Sequence, residues 1–78
     1  MSVSIMWRPT KDAKTFRGGT SSDLDALEKT FGSQPMRLTP ADATILRAMA
    51  RASQSKFYDE IADTLEKVDA SIEVWGEY

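Results

Sequence analysis

The sequence predicts a small α+β domain in which two terminal strands pair in a small sheet that three helices cover on one face. Two observations support this fold class. Apolar and polar residues alternate at both ends of the chain, as in half-buried strands, whereas apolar residues recur at helical spacing in the middle. The predicted order is β-α-α-α-β. Because the chain has only 78 residues, we expect residues 1–78 to form a single domain with a thin core.

Both terminal strands show a period of two. The inward positions of the first strand are Val3, Ile5 and Trp7, and those of the last strand are Ile72, Val74 and Tyr78. Met6 and Trp75 are apolar residues on the otherwise polar faces of these strands. Pro9 ends or bulges the first strand because it cannot donate a ladder hydrogen bond. Residues 9–20 then form a polar loop, in which Ala13 to Arg17 extends briefly and folds back on the first strand.

The first helix is predicted over residues 23–31. Ser22 is its expected N-cap, and Asp25 completes a capping box. Gly32 follows the last apolar residue of the helical pattern, at the position where a left-handed C-cap is needed.

The second helix has the clearest start in the chain. Thr39 is the expected cap, Pro40 stands at the first helical position, and Asp42 closes a capping box. Its inward residues are predicted to be Ile45, Leu46, Met49 and Ala52. Its outward residues are predicted to be Thr44, Arg47 and Arg51.

A change in the phase of the apolar residues predicts a break between the second and third helices. The later stripe consists of Phe57, Ile61, Leu65 and Val68. It lies roughly 110° around a continuous helix from the earlier stripe, so a straight helix would bury only one of the two. We therefore expect a turn at Ser53-Gln54-Ser55 and a third helix over residues 56–69, capped by Ser55.

Composition restricts the chemistry. The chain has no cysteine and no histidine, which removes thiolate nucleophiles, disulfides and the commonest general base and metal ligand. We expect no enzyme activity, no catalytic residue, no cofactor and no metal site. The chain shows no signal peptide and no run of membrane-spanning length, so we expect a cytoplasmic protein without membrane contact.

Charge is divided unevenly along the chain. Residues 1–40 carry 6 basic and 4 acidic side chains, whereas residues 41–78 carry 4 basic and 8 acidic ones. Such a dipolar molecule can orient a charged partner, although two solvated faces of opposite sign are the commoner reason for such a pattern. The net charge of −2 and the lack of a recognisable module argue against nucleic-acid binding.

The leading candidate site is the otherwise polar face of the two terminal strands, on which the apolar residues Met6 and Trp75 lie. If the two terminal strands are neighbours, Met6 and Trp75 lie together and form an exposed apolar spot suited to partner binding, with Tyr78 nearby. The alternative is that the loop folds over this face through Phe16 and buries both residues.

A second candidate is an anion or nucleotide site in the loop of residues 11–22. Paired glycines before a helix N-terminus, together with basic side chains, favour an anion. The residues concerned are Lys11, Lys14, Arg17, Gly18, Gly19 and Ser22. The alternative is a flexible loop in which Ser22 only caps the helix.

Two further groups are more typical of solvated helix surfaces. Asp59, Asp63 and Glu66 share one face of the third helix, and Arg47 and Arg51 lie one turn apart on the second. Together these observations predict a non-enzymatic interaction module, an adaptor or inhibitor of the kind that bacteria or phages encode. It would dock on another protein or on a second copy of itself through an exposed sheet face or edge.

Overall fold

The computed structural model describes residues 3–9 and 14–77. The chain forms strand β1, a short strand β2, helix α1, a short strand β3, a 3-10 turn, helices α2 and α3, and strand β4. The strands span Ser4–Pro9, Phe16–Gly18, Met36–Leu38 and Ile72–Glu77. The 3-10 turn spans Pro40–Asp42, and the helices span Ser21–Phe31, Ala43–Ser53 and Lys56–Val68. The predicted α+β class with three helices is confirmed.

The sheet has the strand order β2-β1-β4-β3, and every neighbouring pair is antiparallel. The predicted pairing of the two terminal strands is confirmed, because β1 and β4 lie side by side at the centre of the sheet from Ser4 opposite Glu77 to Pro9 opposite Ile72. The predicted return of the loop onto the first strand is also confirmed for Phe16–Gly18. Strand β3, which pairs with β4, was not predicted.

The first helix begins two residues earlier than predicted. Thr20, not Ser22, is its N-cap, and Asp23, not Asp25, completes the capping box. The Thr20 hydroxyl accepts from the Asp23 amide at 3.3 Å, while the Asp23 carboxylate accepts from the Thr20 amide at 3.0 Å. Gly32 ends the helix at a positive φ of 109°, outside the left-handed helical region that was expected.

The predicted start of the second helix and the break after it are confirmed. The Asp42 carboxylate accepts from the Thr39 amide at 2.8 Å, and Pro40 begins the 3-10 turn that leads into α2. After α2, Gln54 adopts a left-handed conformation and Ser55 caps α3 by accepting from the Phe57 amide.

The prediction of which α2 residues face inward is partly wrong. Leu46 is buried and Met49 packs against the core, but Ile45 is 45% exposed and Ala52 is exposed. The inward face instead consists of Ala43, Leu46 and Ala50. Apolar residues surround most of this helix, so the sequence permits more than one inward stripe, and packing against α3 selects one.

The core lies between the inner face of the sheet and the three helices. Its sheet residues include Ile5, Trp7, Ile72 and Val74. Its helix residues include Leu24, Leu27, Leu46, Ile61 and Leu65. No charged or polar residue is buried among those that the structure describes. Within the same residues, no helix has the length and apolar character needed to span a membrane.

Candidate functional site

The outer face of the sheet lies on the side away from the helices. All three helices contribute to the core on the inner face, and the outward side chains alternate with the buried ones along β1 and β4. The outward residues are Ser4, Met6, Arg8, Arg17, Arg37, Glu73, Trp75 and Glu77. We call this set the outer sheet face.

Met6 and Trp75 are directly opposite each other in the β1–β4 pair. The predicted juxtaposition of these two residues is therefore confirmed. Arg17 continues the same row on β2, because it stands opposite Met6. The central row of the outer sheet face thus reads Arg17, Met6 and Trp75, with both apolar side chains half-buried among their neighbours.

Arginine side chains partly cover the apolar pair. The Arg17 Nε–H donates to the Met6 sulfur at 3.4 Å. The Arg8 guanidinium carbon lies 5.8 Å from the centroid of the Trp75 ring, in a cation–π arrangement. These contacts leave the arginine charges at the surface beside the apolar side chains.

Two glutamates balance part of this positive charge. Glu73 lies opposite both Arg8 and Arg37 in the two strand pairs, and its carboxylate is 3.5 Å from the Arg8 guanidinium. The Glu77 carboxylate accepts from the Trp75 indole N–H at 3.2 Å. The described part of the face therefore has three arginines and two glutamates around its apolar pair.

The alternative in which the loop buries this face through Phe16 is wrong. Phe16 stands opposite Trp7, an inward residue, and its ring stacks on the Trp7 ring at a centroid distance of 5.9 Å. Strand pairing determines this outcome, because a residue opposite an inward residue also points inward. Tyr78, the third predicted partner-binding residue, lies outside the described residues.

The structure places the two described basic residues of the predicted anion site, Lys14 and Arg17, on different sides of the sheet. Lys11 lies outside the described residues. The Lys14 Nζ is 5.2 Å from the centroid of the Phe16 ring, on the inner side, whereas Arg17 lies on the outer sheet face. Gly18 belongs to β2, and Gly19 supplies a positive φ of 77° between β2 and α1.

The N-terminus of α1 already holds a carboxylate of its own chain. The Asp23 carboxylate accepts from the Thr20 amide and, at 2.7 Å, from the Tyr58 hydroxyl. A second anion here would meet this negative charge. Ser22, the expected cap, is exposed in the first turn.

Burial first, and then the hydrogen bond to Asp23, raise the pKa of Tyr58 above its ordinary value.

The carboxylate row of α3 is engaged by an arginine. The Arg47 guanidinium lies 3.2 Å from the Asp59 carboxylate and 2.7 Å from that of Asp63, and it also pairs with Glu66. The hydrogen bonds that the Arg47 guanidinium donates, first to Asp63 and then to Glu66, hold the pKa of Arg47 above its ordinary value. These four residues join α2 to α3. The described residues contain no group of three histidine, cysteine or acidic side chains able to hold a metal ion.

Two adjoining grooves run along α3 beside β2. One has a volume of about 350 Å³ and the other about 340 Å³. They share Phe16, Asp63 and Thr64 as lining residues. Lysine and carboxylate side chains border an apolar floor, and of the described residues neither Met6 nor Trp75 lines either groove.

Ile45 is the surface residue that the sequence analysis misassigned. It is the one large hydrophobic side chain that is exposed among residues 3–9 and 14–77. The apolar residues Leu46 and Met49 nearby led to the prediction that Ile45 also faces inward. Ala48 and Ala52 share its side of the helix and carry no charge, so no residue there signalled that this side is exposed.

Comparisons with models of protein families, with curated proteins and with solved structures found no match to this chain. The candidate sites therefore depend on the geometry and chemistry described above.

Proposed function

We propose that this chain is a non-enzymatic protein-interaction module, an adaptor or inhibitor that docks through its outer sheet face onto an acidic protein surface. The observation that carries this proposal is the Met6–Trp75 pair on the side of the sheet away from the helices. Tryptophan and arginine are the residues most enriched in the energetic centres of protein interfaces. Both types are adjacent here, since Arg8 lies over Trp75.

Charge complementarity favours an acidic partner. The outer sheet face has three arginines against two glutamates, whereas the chain as a whole carries a net charge of −2. Arg17 makes its described contact with a neutral methionine sulfur, so its charge is available to a carboxylate. An acidic surface with an apolar centre would meet both features of this face, and its approach would be guided by charge.

The face is a better docking surface than the edges of the sheet. The two edge strands, β2 and β3, have only three residues each. Short edge strands with charged side chains offer few hydrogen bonds to an added strand. The proposal includes action in the cytoplasm, because a chain without cysteine has no disulfide that would require an oxidising compartment.

A random peptide library displayed on phage, selected against the immobilised protein, tests this proposal. We expect the selected peptides to combine aspartate or glutamate with an apolar residue, and their affinity to fall as salt concentration rises. Trp75→Ala and Arg17→Glu should each weaken binding of a selected peptide by roughly tenfold or more. Lys56→Glu is the matched control, because it makes the same charge reversal at an exposed position on α3.

Chemical shifts of backbone amides should move around Met6 and Trp75 when the peptide is added. Selected peptides without acidic residues would contradict the acidic partner. Binding that Trp75→Ala and Arg17→Glu leave unchanged would overturn the docking face itself. Binding weakened equally by Lys56→Glu would show a general charge effect and would also count against the face.

A further inference from the structure

We infer that the larger of the two grooves beside α3 binds a small organic anion with a flat apolar body, of the class of aromatic carboxylates. This groove has a volume of about 350 Å³ and lies between α3, the end of β1 and the start of β2. We call it the lysine groove, after Lys14 and Lys67 in its lining. Neither Met6 nor Trp75 lines it, so the inference does not depend on the proposed function.

The floor of the lysine groove is apolar and already formed. It consists of Pro9, Phe16 and Val68, and the last two pack against the core. The Phe16 ring stacks on the buried Trp7 ring at a centroid distance of 5.9 Å, which holds it in place. Small-molecule sites are typically clefts of about 300–1,000 Å³ with a largely pre-formed apolar lining. The volume of this groove therefore suits a ligand at the small end of that range.

The hydrogen-bond donors of the lining favour an acceptor ligand. The Thr64 hydroxyl lines the groove, but it donates to the Glu60 carbonyl at 2.9 Å and accepts from the Trp7 indole N–H at 3.3 Å. Its single proton is therefore engaged within the chain. The other side-chain donors of the described lining are the ammonium groups of Lys14 and Lys67. A carboxylate matches them best, because a hydrogen bond between two charged groups is the strongest kind.

The two lysines approach the lysine groove from different elements. The Lys14 Nζ precedes β2 and lies 5.2 Å from the centroid of the Phe16 ring, over the apolar floor. Lys67 is exposed in the last turn of α3, and within residues 3–9 and 14–77 no carboxylate forms an ion pair with it. An ammonium group has three donors, so Lys14 can bind a carboxylate and keep its contact with the ring.

The acidic residue of the lining is compensated from outside the groove. The Asp63 carboxylate is 2.7 Å from the guanidinium of Arg47, which does not line the groove. The two lysines therefore give the lysine groove an excess of positive charge. The adjoining groove differs, because Glu60 and Asp63 stand there against Arg17 alone. Attraction between opposite charges thus favours an anion in the lysine groove.

Titration with naphthoate at low ionic strength, followed by the chemical shifts of backbone amides, tests the inference. The amides of Phe16, Thr64 and Lys67 should shift, with a dissociation constant of roughly 0.1–1 mM. Naphthamide, the neutral isostere, should bind about tenfold more weakly because it cannot pair with either lysine. Acetate has the charge without the rings, and it should also bind about tenfold more weakly because it gains nothing from the apolar floor.

A charge reversal tests the cationic side of the groove. Lys67→Glu should weaken naphthoate binding by about tenfold and leave naphthamide binding unchanged. Lys56→Glu is the matched control, because Lys56 is an exposed lysine at the other end of the same helix and does not line the groove. Both positions are exposed, so both variants should keep the circular dichroism spectrum of the wild type.

Any of four results would overturn the inference. The first is the absence of amide shifts at naphthoate concentrations up to about 10 mM. The second is equal binding of naphthoate and naphthamide, which would show an apolar cleft without preference for an anion. The third is an equal loss in Lys67→Glu and Lys56→Glu, which would show a general charge effect. The fourth is a set of shifts centred on Met6 and Trp75, which would place the ligand on the outer sheet face.

Discussion

The two tryptophans of this protein occupy opposite faces of one small sheet. Trp7 on β1 is 2% exposed, stacks on Phe16 and donates its indole N–H to the Thr64 hydroxyl at 3.3 Å. Trp75 on β4 is half-buried by arginine and glutamate side chains at the surface. Both are large aromatic residues in central strands, yet only one has the core as its neighbour. The contrast shows that the alternating position of a residue along its strand, and not its type, decides whether it packs in the core or lies on the outer sheet face.

Truncation of the inner tryptophan should have the largest effect. Trp7→Ala removes ring contacts to Phe16 and to Phe57, whose ring centroid lies 5.5 Å away, and leaves a cavity. We expect a loss of about 3–5 kcal/mol in the free energy of unfolding, as for other buried tryptophans. Urea denaturation followed by circular dichroism measures it. A loss below about 1 kcal/mol would show that the inner face tolerates a void and would remove the contrast between the two faces.

Added volume on the inner side should have the next largest effect. A Cβ atom on Gly76 would lie 2.5 Å from the Leu24 Cδ2, so the buried Leu24 side chain would have to shift in Gly76→Ala. We expect a cost of about 1–3 kcal/mol, which is typical of overpacking. Gly32→Ala is an informative companion, because no atom lies within 4 Å of that position. Its cost should come from the positive φ alone. Equal stability of wild type and Gly76→Ala would contradict this cost and show that the Leu24 side chain moves aside freely.

The buried Tyr58 hydroxyl should have a smaller effect that depends on pH. Tyr58→Phe removes the hydrogen bond to the Asp23 carboxylate and should cost about 1–2 kcal/mol at neutral pH. The raised pKa means that the folded chain keeps this proton after the unfolded chain has lost it. The associated stability is therefore present below about pH 10 and decreases above it, as the unfolded tyrosine ionises.

Denaturation of wild type and Tyr58→Phe at neutral and at alkaline pH measures this contribution. The difference between the two proteins should shrink as pH rises above about 10. A difference that stays constant would show that the folded tyrosine ionises normally.

Truncation of the outer tryptophan should have the smallest effect on stability. Trp75→Ala removes a cation–π contact and a surface hydrogen bond, so we expect a cost of about 1 kcal/mol or less. Acrylamide should quench Trp75 more strongly than Trp7, which can be measured in the two single-tryptophan variants Trp7→Phe and Trp75→Phe. A cost similar to that of Trp7→Ala would mean that the outer sheet face is part of the folding core.

Local patterns predicted much of this fold. The alternation at both ends identified the two central strands, and the phase change after Ala52 located the turn at Gln54. The position of Met6 opposite Trp75 on one face followed from the strand alternation once those strands were paired. The strands and the turn were predictable because each depends on residues that are close in sequence, and the Met6–Trp75 pair required only the further assumption that the two strands are neighbours.

Features that depend on competing local choices were not predicted correctly. Thr20 and Ser22 are both suitable caps, and Thr20 is used because its partner Asp23 also accepts from Tyr58, a residue 35 positions away. The inward side of α2 was ambiguous, since either of two apolar stripes could have faced the core. Strand β3 has only three residues, too few to show an alternating pattern. Each of these outcomes depends on contacts between distant parts of the chain.

The central position of the two terminal strands also affects how the chain folds during synthesis. Strand β1 leaves the ribosome long before its partner β4, which begins only at Ile72. Until then β1 can pair only with β2 on one side. Its other edge, where β4 will pair, stays unpaired. Sheet closure must therefore wait for residues 72–77, and contacts of such long sequence separation form slowly. Until β4 pairs with β1, this sheet therefore leaves an unpaired strand edge that favours aggregation.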